Sequence, residues 1–185
     1  MIMTEEQFLT ELEPLKDRLY NFARRHLFRQ DDADDVFSEA VLSAWAQRDR
    51  YRLGTNFKVW IYRILLNKVY TANRRRMLDA KLDPAPVAAE NENGREIEAR
   101  AMEGDLEPLL QTCGDELRRA VNALNESERE TFLLLSLADM SYAEIAAVTN
   151  APEATVLTRL ARARRKLREQ LLRLGAKNVH GGRDS

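Results

Sequence analysis

Arginines dominate the part of this chain best equipped to meet phosphate. Between Arg159 and Arg173 stand Arg159, Arg162, Arg164, Arg165, Lys166, Arg168 and Arg173 against a single anion, Glu169. A second basic cluster, Arg74-Arg75-Arg76, closes another helical stretch, in which Arg63, Asn67, Tyr70 and Arg74 recur on one side. Guanidinium, amide and phenol groups in one row contact phosphates, hydrogen-bond base edges and stack on unpaired bases. The plainer reading of the basic residues is that cations complement the dipole at a helix C-terminus. Asp35, Ser38, Glu39 and Leu42 share a third face, acidic but carrying an apolar side chain. Such a face is either solvated with one stray leucine or a docking surface for a basic partner. Nothing in the chain promises catalysis. His26 and His180 are the only histidines, Cys113 has no neighbouring ligand, and no metal-binding or phosphate-cradling motif is present. Asp31, Asp32, Asp34 and Asp35 are better explained by a helix N-terminus than by a metal. No catalytic residue, metal, cofactor or small-molecule substrate is therefore expected.

Helices must position these groups. The 185 residues include only 7 glycines and 5 prolines, and the net charge of −1 hides two basic patches joined by an acidic connector. Many Ala, Leu, Arg and Glu with few turn formers predict an all-α chain. A lone cysteine suits a reducing cytoplasm, and no apolar run reaches the ~20 residues of a membrane span. Thr4 with Gln7 signals a capping box, and Pro14 suits the first turn of a second helix. Asp31 or Asp32 should cap a third helix buried through Ala33, Val36, Phe37, Ala40 and Ala44. A loop over 50–56 precedes a helix whose inner face is Phe57, Trp60, Ile61, Ile64, Leu65 and Ala72. Residues 79–105 read as an acidic linker. Leu106, Leu109, Leu110, Leu117, Val121 and Leu124 mark the next helix. Asn125 with Glu128, then Ser141 with Glu144, open two more. Asn150 suits a left-handed turn, and Pro152 restarts a basic helix faced inward by Val156, Leu160, Ala163, Leu167, Leu171 and Leu174. Trp45, Trp60, His26 and Cys113 read as core residues. The tail over 176–185 is expected to be disordered.

A short helix, a tight turn and a longer basic helix form a helix-turn-helix, with Thr158, Arg159, Arg162 and Arg165 outward. Arginine there reads guanine or holds phosphate, and spacing does not choose between them. Met140-Ser-Tyr-Ala-Glu-Ile-Ala-Ala followed by Ala154-Thr-Val-Leu-Thr-Arg-Leu-Ala-Arg-Ala-Arg-Arg-Lys-Leu resembles region 4 of the extracytoplasmic-function (ECF) sigma factors. Independently, Asp32-Ala-Asp-Asp-Val-Phe-Ser-Glu-Ala and Trp60-Ile-Tyr-Arg-Ile-Leu-Leu-Asn-Lys resemble their region 2. The resemblance implies two small helical domains: region 2 over 1–78 and region 4 over 106–175, joined by the linker. It implies a non-enzymatic cytoplasmic factor that binds core RNA polymerase and promoter DNA, controlled by an anti-sigma protein. Tyr51, Asn56, Phe57, Arg63, Asn67, Tyr70 and Arg74 would then read the −10 element and capture a flipped base. Thr155, Thr158, Arg159, Arg162, Arg165 and Lys166 would read the −35 element, and Asp35, Ser38, Glu39 and Leu42 would grip the polymerase. Ser38 stands where the family has glutamine, Leu157 where it has a cation, and Asn125 where it has proline. The competing reading is an ordinary helix-turn-helix regulator with a helical sensor or dimerisation domain, which would bind specific DNA without polymerase.

Overall fold

The computed structural model describes residues 3–80 and 114–180. Its helices are α1 (Glu5–Leu12), α2 (Lys16–His26), α3 (Ala33–Ala46), α4 (Phe57–Ala80), α5 (Gly114–Asn122), α6 (Glu126–Ser136), α7 (Tyr142–Thr149) and α8 (Glu153–His180). No strand occurs among the described residues. The linker beyond residue 80, the apolar run from Leu106 to Leu110, and Cys113 lie outside them. The chain divides into two compact units: residues 1–89 with 133–151, and residues 90–132 with 152–185.

In the first unit, Thr4 accepts the Gln7 N–H while the Gln7 side chain takes the Thr4 N–H, the reciprocal box expected there. Pro14 sits in a 3₁₀ turn, Glu13–Leu15, that links α1 to α2. Phe8, Leu12, Leu19, Phe22 and Ala23 are buried along these two helices. On α3, Ala33, Val36, Ala40 and Ala44 are buried as the period predicts, and Phe37 is half-buried. The start of α3 departs from expectation. Asp32 follows a 3₁₀ turn and makes no capping bond. Its two oxygens instead accept from Arg76 Nε at 3.0 Å and Nη2 at 2.7 Å.

That hydrogen-bonded guanidinium holds the Asp32 carboxyl below the ordinary carboxylate range, with burial opposing it. A depressed folded-state pKa means the stabilisation is present above the usual carboxylate range and disappears as pH falls through the lowered value. The pair is partly exposed, so its contribution is about 1 kcal/mol. Asp32→Asn should cost that amount in urea unfolding at pH 7 and flatten the acid limb of the stability profile.

Helix α4 is buried on a broader face than a single stripe. Phe57, Ile61 and Leu65 are inside as predicted, whereas Trp60, Ile64 and Ala72 are half-buried. A second row, Tyr62, Leu66, Val69 and Asn73, is also buried. The Asn73 amide accepts the Phe28 N–H at 3.0 Å and donates to the His26 carbonyl at 3.2 Å, satisfying backbone groups where α2 ends.

In the second unit, α5 packs along α8. Leu117, Val121 and Leu124 meet the expected inner face of α8, where Val156, Leu160, Ala163, Leu167 and Leu171 are buried. Asn125 caps α6 by accepting the Glu128 N–H at 2.8 Å. Helix α8 runs on to His180, so residues 176–180 are helical rather than the disordered tail expected, and 181–185 lie outside the described residues. The apolar spacing that ends at Leu174 gave no reason to extend it.

Candidate nucleic-acid interface

Five aromatic rings build the floor beneath the 50–56 loop. Tyr51 lies 5.5 Å from Phe57 and 5.1 Å from Trp60, and Phe8 lies 5.4 Å from Trp45 and 5.7 Å from Phe57. The Tyr51 hydroxyl donates to the Thr55 carbonyl at 2.5 Å, closing the loop, and Gly54 takes a left-handed φ of 85°. Tyr51 and Phe57, expected to face DNA, are buried. Apolar burial of two rings outweighs their use as stacking platforms, so they support the loop from within. Asn56 is exposed at the loop's end, and its Oδ1 accepts the Val59 N–H at 3.1 Å, capping α4.

Along α4, Arg63, Asn67 and Arg74 are exposed and Tyr70 is half-buried, one continuous side at i, i+4, i+7 and i+11. The structure thus brings together four of the predicted residues as a row, with Asn56 at its N-terminal end. Arg63 is already engaged: its Nε donates to the Ala147 carbonyl at 3.1 Å and its Nη2 donates to the same oxygen.

On α3, Asp35, Ser38, Glu39 and Leu42 are all exposed, and Leu42 retains 66% of its surface. Glu39 reaches Lys68 at 3.6 Å.

The helix-turn-helix signals are each in place. Ser141 and Glu144 form the capping box of α7, Asn150 is left-handed at φ 52°, and α8 follows Pro152. On α8, Thr158 and Arg165 are exposed, while Thr155, Arg159 and Arg162 are half-buried. The Thr158 hydroxyl bonds back to the Ala154 carbonyl at 2.9 Å. Lys166 is half-buried, and its ammonium is engaged within the protein. Its Nζ donates to both oxygens of buried Glu128, at 2.9 and 2.7 Å. Sequence spacing placed Lys166 beside Arg165 and gave no sign of an anion 38 residues earlier. No cluster of ligating side chains suited to a metal occurs among the described residues, and none of their helices is long and apolar enough to cross a membrane.

A basic-polar row above an aromatic loop, together with a helix-turn-helix, defines a nucleic-acid-reading protein of the sigma-70 class. Family models agree: "Sigma-70 region 2" matches residues 12–78 and "Sigma-70, region 4" matches residues 114–167. The chain is 35% identical over 141 residues to the ECF RNA polymerase sigma-E factor of Escherichia coli K12, covering 72% of this chain and 70% of that one. It is 26% identical over 171 residues to ECF RNA polymerase sigma factor SigW of Bacillus subtilis, covering 90% of each. Among solved structures it is similar to the sigma factor RpoE of Bartonella quintana in complex with the anti-sigma factor NepR. That match has a TM-score of 0.69 at 26% identity and covers 90% of this chain and 97% of that one. CnrH bound to the cytosolic domain of CnrY shares the fold, with a TM-score of 0.64 at 23% identity over 91% and 89% of the two chains. The protein belongs to the ECF sigma factors of the sigma-70 family.

Proposed function

We propose that this sigma factor docks on core RNA polymerase through Asp35, Ser38, Glu39 and Leu42 and reads promoter DNA with two separate surfaces. Arg63, Asn67, Tyr70 and Arg74, with Asn56, take the −10 strand and hold a flipped base, while Tyr51 and Phe57 keep the loop in shape. Flipping costs a few kcal/mol of stacking, which aromatic and amide contacts return. Thr155, Thr158, Arg159, Arg162 and Arg165 face the −35 element. The working division is 1–78 for region 2, 79–105 for the linker and 106–175 for region 4. The protein acts in the cytoplasm as an initiation factor without catalytic activity of its own, under an anti-sigma protein. One structure to which it is similar is a sigma factor held by such a protein. The observation that carries this reading is the outward row on α4, because a duplex-only regulator has no use for an amide and phenol aligned with arginines above an aromatic loop.

Run-off transcription with purified core polymerase tests it. Transcripts should require this protein, and Asn67→Ala should lower them at least about tenfold while leaving the fold intact, the loss of one stacked and hydrogen-bonded base. Tight specific binding to duplex DNA by the protein alone, with no effect on core polymerase, would replace this reading with that of an ordinary regulator.

A further inference from the structure

Helix α8 changes character along its length. In its first three turns the exposed side chains are Glu153, Ala154, Leu157, Thr158 and Ala161, with no cation among them. Further along, Arg165, Arg168 and Arg173 are exposed. Ala154, Leu157, Thr158 and Ala161 stand at i, i+3, i+4 and i+7, so they share one face. That face lies opposite the buried Val156, Leu160 and Ala163. Thr158 gives its hydroxyl proton to the Ala154 carbonyl at 2.9 Å and has no second one to donate to a base. Leu157 is the one large apolar side chain on the face, and 42% of its surface is exposed.

A helix that reads duplex DNA presents its early residues to base edges, while cations along it hold phosphates. The division along α8 follows that order, with an apolar face where bases would lie and arginines beyond it. Of the groups that base pairs present in the major groove, the thymine C5-methyl is the apolar one. Against a G·C pair, a leucine covers hydrogen-bonding atoms and gives them no partner. Against thymine it covers a methyl group and removes its own surface from water.

We propose that Leu157 is a specificity-determining residue, packing on the C5-methyl of a thymine in the −35 element and selecting A·T over G·C at that position. The inference rests on the assignment of α8 to that element and adds a residue the assignment leaves out. A cation, which the family has at this position, favours phosphate or guanine, so the leucine changes what is read there.

Holoenzyme assembled from core polymerase and this protein, used to select stable complexes from randomised duplex DNA, defines the preferred −35 element. In a selected template each thymine of that element is then replaced in turn by deoxyuridine, which removes the methyl and keeps the pairing. One replacement should weaken holoenzyme binding roughly three- to fivefold, the loss of a single covered methyl. The same replacement should have little effect on Leu157→Ala holoenzyme. The uracil probe alters only the DNA, so its outcome is independent of how any variant folds. Repeating the selection with Leu157→Arg should exchange thymine for guanine at that position. A selected element without an A·T pair overturns the inference, as does uracil tolerated at every thymine or an equal loss with Leu157→Ala. In each of those cases the assignment of α8 to the −35 element stands. A selection that yields no sequence preference upstream of the −10 element overturns both.

Discussion

Leu42→Asp should reduce affinity for core RNA polymerase by at least about tenfold to a hundredfold while leaving the thermal unfolding of the free protein nearly unchanged. The two halves of that expectation come from one observation. Leu42 keeps 66% of its surface exposed on α3, on the side opposite the buried Ala33, Val36, Ala40 and Ala44. An exposed leucine contributes little to the folded state of its own chain. Removing it from water against a partner is worth about 1.5–3 kcal/mol, which corresponds to that loss of affinity. Aspartate mid-helix costs about half a kcal/mol in propensity, so the fold survives. The replacement also deepens the negative charge of a face that already carries Asp35 and Glu39. Leu42→Ala isolates the apolar part and should give the smaller loss. Fluorescence anisotropy of labelled protein titrated with core polymerase measures both, with calorimetry on the free variants beside it. Affinity within twofold of the parent for Leu42→Asp would remove this face from the docking surface and leave Leu42 a stray apolar residue.

The contrast between what was legible in the sequence and what was not follows the range of the interactions. Thr4–Gln7, Asn125–Glu128 and Ser141–Glu144 pair residues three positions apart, and each appears as the pattern predicts. Asn150 adopts the left-handed conformation for the same reason: the choice is made within one residue. The helix periods placed nearly all of the buried side chains of α3 and α8 correctly. Asp32 shows where local reading stops. It has the right type and position for a cap, yet a guanidinium 44 residues away takes both its oxygens. A charged bidentate partner is stronger than a neutral backbone N–H, and nothing near Asp32 in sequence announces Arg76. Tyr51 and Phe57 illustrate a different limit, for the structure buries both rings. Family resemblance assigned the loop to DNA, but resemblance assigns a segment rather than the direction of each ring, and the aromatic cluster with Phe8, Trp45 and Trp60 required the fold. Glu144 combines both cases. Its capping role was visible three residues away, whereas its bond to Asn56 spans 88 residues.

Lys166 carries the sharpest test of that distinction, because the family resemblance put it on DNA and the structure pairs its ammonium with Glu128. Glu128 is 3% exposed, and its carboxylate accepts from Lys166 Nζ at 2.9 and 2.7 Å and from the Asn125 N–H at 3.4 Å. Lys166→Met removes the only cation seen on that carboxylate among the described residues and leaves a charge in the core. Complete burial of the pair would make this cost about 3–5 kcal/mol. The Lys166 side chain is 41% exposed, so water reaches one partner and the expected loss is about 1–3 kcal/mol in urea unfolding. Adding Glu128→Gln should recover most of it, since glutamine retains the capping geometry and brings no charge. Binding should respond in the other direction. With its ammonium spent internally, Lys166 adds little to counterion release, so the slope of log affinity against log salt on −35 duplex should hardly change in the double variant. Exposed Arg165 is the control: Arg165→Ala should lower that slope by about one and leave stability alone. If the double variant loses about one unit of slope while Lys166→Met unfolds like the parent, Lys166 belongs on phosphate and the Glu128 pair is dispensable.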